Sequence, residues 1–297
     1  MDKNIKEILF DDKYYASPYD VNQDCLLSVL MCCRMTRGIG GPTDILTFFS
    51  SVFQKWSPLS QSKTEFLIKF DIDDDLAIKK IFLAERLEKM IKDFNTPSPP
   101  IIRYFIYNRW EGKKTFNYHY NFLFSQRNPN SKFITFATDD AYYVGDILEK
   151  LNPLIDKTKF KIFIRSEIHK NVLDSISDWK EPCELRKWAS GELTDPYPII
   201  SSKIIEICGG FGWQQNIDNF FSLLGLILYR KRGINLFSTF PVCINRKTEE
   251  RPGLEPIGYS AFNKEMFVDD TTFPENRYYL KLIETLADNL YYHIKNE

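Results

Sequence analysis

Carboxylates dominate the chemistry that this sequence offers. Asp71-Ile72-Asp73-Asp74-Asp75 follows one apolar run and Asp139-Asp140 follows another. If both runs are strands of one parallel sheet, their carboxyl ends share an edge, and ligands of such sheets bind beyond that edge. Carboxylates gathered there repel one another unless a divalent cation or a cationic ligand stands between them. Hard oxygen donors of this kind suit magnesium or manganese. The alternative is that each acidic run is a solvated turn. Arg34-Met35-Thr36-Arg37-Gly38 loads the end of a further apolar run, Leu26 to Cys33, with guanidinium groups and a hydroxyl. Asp218 is the remaining signal, at the start of an apolar helical stretch just after Gly209-Gly210-Phe211-Gly212. It reads either as a helix-capping carboxylate or as a general base on a buried helix.

Other chemistries fail on spacing. Asp71, Asp73 and Asp75 match the first ligand positions of an EF-hand loop, but Leu76 stands where that loop needs glycine and Phe82 where it needs glutamate. Gly38-Ile39-Gly40-Gly41 places Thr43 at the third glycine of a dinucleotide fingerprint. No P-loop and no Gly-x-Ser-x-Gly elbow occurs. Only 3 histidines are present and no Cys or His spacing is of the metal type, which argues against zinc and His-based centres. The 6 cysteines sit mostly inside apolar runs and read as buried thiols rather than bridges.

The elements that must position these residues follow from periodicity. Leu26 to Cys33, Phe66 to Ile72, Ile101 to Tyr107, Lys132 to Thr138, Phe160 to Arg165 and Ile234 to Phe240 read as strands. Helical spacing appears from Ile45 to Trp56, Ile78 to Phe94, Phe116 to Phe124, Tyr143 to Leu151 and Ile217 to Tyr229, and again through Leu280, Ile283, Leu286 and Leu290. Ile199 to Cys208 is a further apolar segment; Ser175 to Thr194 and Asn245 to Asn276 are polar and irregular. Strand alternating with helix predicts an α/β fold with a mostly parallel sheet flanked by helices, as a single domain over residues 1–297 with a C-terminal helical extension at 246–297. At 297 residues, 43% hydrophobic and 27% charged, the composition is globular. With 39 Lys+Arg against 40 Asp+Glu there is no global positive field, so nucleic acid is not an expected partner. Phe220 to Tyr229 falls far short of the roughly 20 apolar residues of a membrane span, and Met1 to Asp12 is charged throughout. The expectation is a soluble, cytoplasmic protein with no secretion signal and no transmembrane segment.

The order of these stations resembles a nucleotide-sugar glycosyltransferase of the GT-A architecture, family-2-like, over about residues 24–245. Such enzymes run a strand, small-residue loop and helix; a strand ending in acidic residues; a strand ending in an acidic metal motif; and a Gly-Gly-Phe loop before a helix with the catalytic acid. Here the stations are Leu26 to Arg37, Phe66 to Asp75, Phe133 to Asp140 and Gly209 to Asp218. The resemblance implies transfer of a hexose-type sugar from a nucleotide-sugar donor to a carbohydrate or other hydroxyl acceptor, inverting and dependent on Mn²⁺ or Mg²⁺. It places Arg34, Thr36, Arg37, Asp71, Asp73, Asp74, Asp75, Asn121 and Asp139 at the donor, Asp139 and Asp140 on the cation, and Asp218 as the base. Trp213, Gln214 and Gln215 would line the acceptor site, unless Trp213 is a packing residue. The chain departs from the family at Ile217-Asp218, where Glu-Asp is common, and at Asp139-Asp140-Ala141, where Asp-x-Asp is common. Pro241 to Arg246 also lacks the histidine that often adds a metal ligand. A sugar-phosphate nucleotidylyltransferase, whose Gly-rich loop Arg37 to Pro42 echoes poorly, and a non-catalytic nucleotide-sugar binding protein are the rival classes.

Overall fold

The computed structural model describes residues 15–16, 24–33, 42–71, 89–90, 92–107, 115–138, 141–157, 159–165, 170, 197–211, 217–241, 243–246 and 274–297. The stretch 175–194 lies outside them, as does most of the helix expected over 78–94. The chain forms two compact units, Met1–Ile155 with Val242–Pro252, and Asp156–Pro241 with Gly253–Glu297.

In the first unit the strands are β1 (Tyr15–Ala16), β2 (Leu27–Cys33), β3 (Thr64–Asp71), β4 (Ile101–Tyr107) and β5 (Phe133–Ala137), lying in the order β1-β4-β3-β2-β5. β4, β3, β2 and β5 run parallel, and only the short β1 is antiparallel to its neighbour. β2 is apolar on both faces because it is interior and has a strand on either side: Val29, Leu30 and Met31 are fully buried. Helix α1 (Pro42–Lys55) opens on proline and turns Ile45, Phe48, Phe49, Val52 and Phe53 to one buried stripe. Phe48 and Phe49 meet Phe66 of β3 edge-on, with ring centroids 5.8 and 5.2 Å apart. The short α2 (Pro58–Ser62) follows, capped by Ser57. On the opposite face of the sheet lies α3 (Thr115–Ser125), where Phe122 packs on Phe105 of β4 and Tyr120 on Phe136 of β5.

The sequence predicts a helix from Tyr143 to Leu151, and here the structure differs. β6 (Ala141–Tyr143) pairs antiparallel with β10 (Ile244–Arg246), which runs into the stretch read as irregular, and α4 (Ile147–Leu151) begins only after β6. Tyr143 is drawn into the strand by Ser51 Oγ, which accepts its N–H at 2.8 Å, and its ring lies 4.8 Å from that of Trp56. Asp146 starts α4 by accepting from Glu149 N, while its other oxygen accepts from Ser57 N of the neighbouring cap.

The second unit has β7 (Ile162–Arg165), β8 (Ile199–Ser201) and β9 (Phe237–Phe240); β7 is parallel to β9 and antiparallel to β8. Ile199 to Cys208 splits into β8 and α5 (Ser202–Ile207). β9 starts later than the apolar run predicts because Asn235 Oδ1 accepts from Phe237 N and holds the preceding residues in a turn. Helix α6 (Ile217–Arg232) is buried from Phe220 to Leu228, and α7 (Pro274–Asn296) packs on it through Ile283, Ala287 and Leu290. Arg232 and Lys231 of α6 pair with Asp288 and Glu284 of α7 at 2.7 and 3.1 Å. Such surface pairs contribute about 0–1 kcal/mol, so the apolar stripe decides the packing. Among the described residues no helix is long and apolar enough to cross a membrane.

Two features of the core are open to direct test. A Cβ at Gly225 would stand 2.5 Å from Phe237 Cζ and 2.8 Å from Cε2. Alanine favours a helix over glycine by about 1 kcal/mol, but overpacking costs typically 1–3 kcal/mol. Gly225→Ala is therefore expected to lower stability in urea unfolding, and Phe237→Leu to recover it in the double variant. Glu65 in β3 is 1% exposed and accepts from Ser28 Oγ at 2.5 Å and Asn128 N at 2.6 Å. Burial raises its pKa and outweighs those hydrogen bonds and the Arg103 and Arg127 charges. A raised carboxyl pKa favours the folded state below the unfolded value and loses that contribution as pH climbs through the folded one. Glu65→Gln should thus gain stability relative to wild type as pH rises from about 4.5; a pH-independent difference would contradict this.

Candidate functional site

The parallel register brings three strand ends to one edge. Cys33, the last residue of β2, is the partner of Phe70 in β3, and Met31 is the partner of Ala137, the last residue of β5. Arg34 is the next residue after Cys33, Asp71 ends β3 opposite Tyr107, and Asp139-Asp140 lie between Thr138 and the first residue of β6. The strands that lead into 34–37, 71–75 and 139–140 are therefore neighbours, and all reach the edge with their carboxyl ends, where ligands of open α/β sheets bind. Antiparallel pairing with β10 adds a second strand here, with Arg246 opposite Ala141.

Of the residues singled out by sequence, Asp71 is placed at the end of β3 and Asn121 on α3, half-buried. Asp218 is the second residue of α6 in the second unit, at the helix end where a negative charge is favoured by the backbone dipoles. Arg34, Thr36, Arg37, Asp73, Asp74, Asp75, Asp139, Asp140, Trp213, Gln214 and Gln215 lie outside the described residues. Among the described residues no group of three or more His, Cys, Asp or Glu side chains is arranged to hold a metal ion. The only donors proposed for a cation are the carboxylates at 139–140, and that oxygen set suits Mg²⁺ or Mn²⁺.

Directly below the edge, on the α3 side of the sheet, is a polar layer that sequence reasoning missed. Lys69 of β3 is 1% exposed, and its Nζ lies 3.4 Å from Nε2 of the buried His119. Cys32 of β2, in register with Lys69, is hydrogen-bonded to Tyr120. Burial pushes its thiol up to about 12, against the pull of the Lys69 charge, so it is a neutral group and no nucleophile. Cys25, Cys33, Cys208 and Cys243 are also unbridged. A lysine interrupting Phe66-Leu67-Ile68-Lys69-Phe70 was the available signal, because a strand buried on both faces tolerates a charge only for a reason.

No protein-family model and no curated protein matches the chain. Solved structures do. A mannosyltransferase, PcManGT from Pyrobaculum calidifontis in complex with GDP-Man and Mn²⁺, matches with a TM-score of 0.51 at 11% identity, covering 94% of this chain and 74% of that one. S. aureus TarS 1-349 matches with a TM-score of 0.49 at 12% identity, over 84% of this chain and 72% of that one. The 4-diphosphocytidyl-2C-methyl-D-erythritol synthase of Anaerococcus prevotii matches at 0.39 and 10% identity, over 83% and 98%. The first of these likenesses, with the parallel order β4-β3-β2-β5 and helices on both faces, shows a GT-A-type α/β fold.

Proposed function

We propose that this protein is a glycosyltransferase that moves a hexosyl group from a nucleotide-sugar donor to a hydroxyl acceptor, with inversion and with a divalent cation. The observation that carries this reading is the shared register of β2, β3 and β5. It brings to one edge the strand ends from which a basic loop and two acidic runs continue in the sequence, in a fold matched by a mannosyltransferase solved with GDP-Man and Mn²⁺. The reading takes residues 1–297 as one transferase domain with its core at about 24–245.

Each role follows from the chemistry of the side chain. Arg34 and Arg37 pair with the donor diphosphate, for which guanidinium groups are suited by geometry as well as charge, and Thr36 donates its hydroxyl. Asp71, Asp73 and Asp74 accept from the ribose and base, and Asn121 offers an amide to the donor. Asp139 and Asp140 are the residues that would hold Mn²⁺ or Mg²⁺, with Asp139 also facing the donor. Such a cation, when bound, neutralises charge that develops on the departing diphosphate. Asp218 takes the proton of the acceptor hydroxyl as its oxygen bonds to the anomeric carbon. The bond from that carbon to the diphosphate oxygen breaks on the other side, the nucleoside diphosphate leaves with the electron pair, and the single displacement inverts the centre. Trp213 gives an aromatic face, and Gln214 and Gln215 amide groups, to the acceptor.

Single substitutions separate these roles. Asp218→Asn keeps size and most hydrogen bonding but removes the proton acceptor, so donor affinity stays near wild type while transfer falls by about 10²–10⁴. Asp139→Ala and Asp140→Ala weaken Mn²⁺-dependent donor binding and leave the apo protein as stable as wild type or more so, since repulsion in the cluster is relieved. Release of free nucleotide from UDP- and GDP-sugars, with calorimetry for binding, reads both. An Asp218→Asn protein with undiminished transfer returns that residue to a helix-capping role. Donor binding without any turnover in wild type makes the chain a nucleotide-sugar binding protein instead.

A further inference from the structure

We propose that Lys69 is a positioning residue whose buried ammonium is the fixed positive charge of the carboxyl edge, favouring an anionic diphosphate there and opposing a bare divalent cation. The proposal rests on the transferase reading for the identity of that diphosphate; the charge and its place do not.

Position comes first. Lys69 pairs with Cys32 in β2 and Phe105 in β4, and the next pair along, Cys33 with Phe70, is the last that β2 makes with β3. The Lys69 backbone is thus one residue, about 3.3 Å, from the end of that ladder. Its side chain is buried under α3, with Nζ 3.4 Å from His119 Nε2. Cys32 lies directly across the strand gap from it. Buried charges act over longer distances than exposed ones because neither water nor salt screens them well.

Packing does not explain a lysine at this position. Leu67 fills the preceding place on the same face and is fully buried, so an apolar side chain suits this layer and avoids the cost of desolvating an ammonium. The same face of β3 carries Glu65 four residues earlier, about 13 Å away, where Ser28 and Asn128 hold it. β3 therefore places its buried acid toward the amino edge and its buried base toward the carboxyl edge. The carboxyl edge is the end from which 34–37, 71–75 and 139–140 continue, so a cation beneath it offsets carboxylate repulsion and attracts phosphate.

The sign of the effect makes this testable. Lys69→Met keeps the length of the side chain and removes the charge; Lys69→Arg keeps the charge. Calorimetry with Mn²⁺ alone, and with UDP and GDP, is expected to show that Lys69→Met binds Mn²⁺ more tightly and the nucleotides more weakly. Each change should be on the order of 10-fold, with Lys69→Arg close to wild type in both. Loss of both affinities together in Lys69→Met, or equal damage in Lys69→Arg, would mean a packing role and overturn the proposal. A second measurement needs no ligand. In urea unfolding of the apo protein, the cycle of Lys69→Met with Asp71→Asn should show coupling of several-fold in the unfolding constant. Zero coupling overturns the proposal whatever the ligands do. A wild-type protein that binds neither Mn²⁺ nor nucleotide overturns the transferase reading, and the cycle alone then decides the role of Lys69.

Discussion

Parallel pairing of β2 with β3 on one side and β5 on the other is the constraint on which the rest depends. Antiparallel neighbours would send alternate strand ends to opposite edges and scatter the charged loops. Parallel neighbours send them all the same way. The proposed site then poses an electrostatic problem, because the acidic runs 71–75 and 139–140 continue from strands whose carboxyl ends share an edge. In the proposed site the cations nearest in the chain are Arg34 and Arg37, which follow β2, and Lys69 within β3. A divalent metal is a further cation of the same logic, and the carboxylates at 139–140 are chemically fit for it.

The same constraint explains the core. A strand covered on both faces is mostly apolar, and in β2 the polar exception, Ser28, is hydrogen-bonded to Glu65. Helix α1 seals one face with Phe48 and Phe49 against Phe66, and α3 seals the other with Phe122 and Tyr120. Several polar groups in this core are held in place. Glu65 is fixed by Ser28 and Asn128, Asp146 by two helix starts, and Lys69 meets His119.

Much of this was legible in the sequence. Continuous apolar runs gave β2, β3, β4 and β5 to within two residues, and 3.6-residue spacing gave α1, α3, α6 and α7. The β6–β10 pairing was hidden because each strand is three residues long and its partner lies more than 100 positions away in the chain, where no local periodicity can register it. Lys69 and His119 were hidden for a different reason. Sequence shows that a lysine interrupts a strand, but only the register and the placing of α3 show that it is buried and what it meets. The carboxylates themselves were visible as letters; that the strands leading to them flank β2 and run parallel to it is a property of the fold.

The central claim is that the carboxyl edge of β2, β3 and β5 binds a nucleoside diphosphate with a divalent cation. Anomalous X-ray diffraction from crystals grown with Mn²⁺ and UDP or GDP tests it most directly. The account predicts an anomalous peak against Asp139 or Asp140, with diphosphate density bridging it to the loop after β2. Diphosphate and manganese bound away from this edge, or a nucleotide held at the amino ends of the strands, would contradict it.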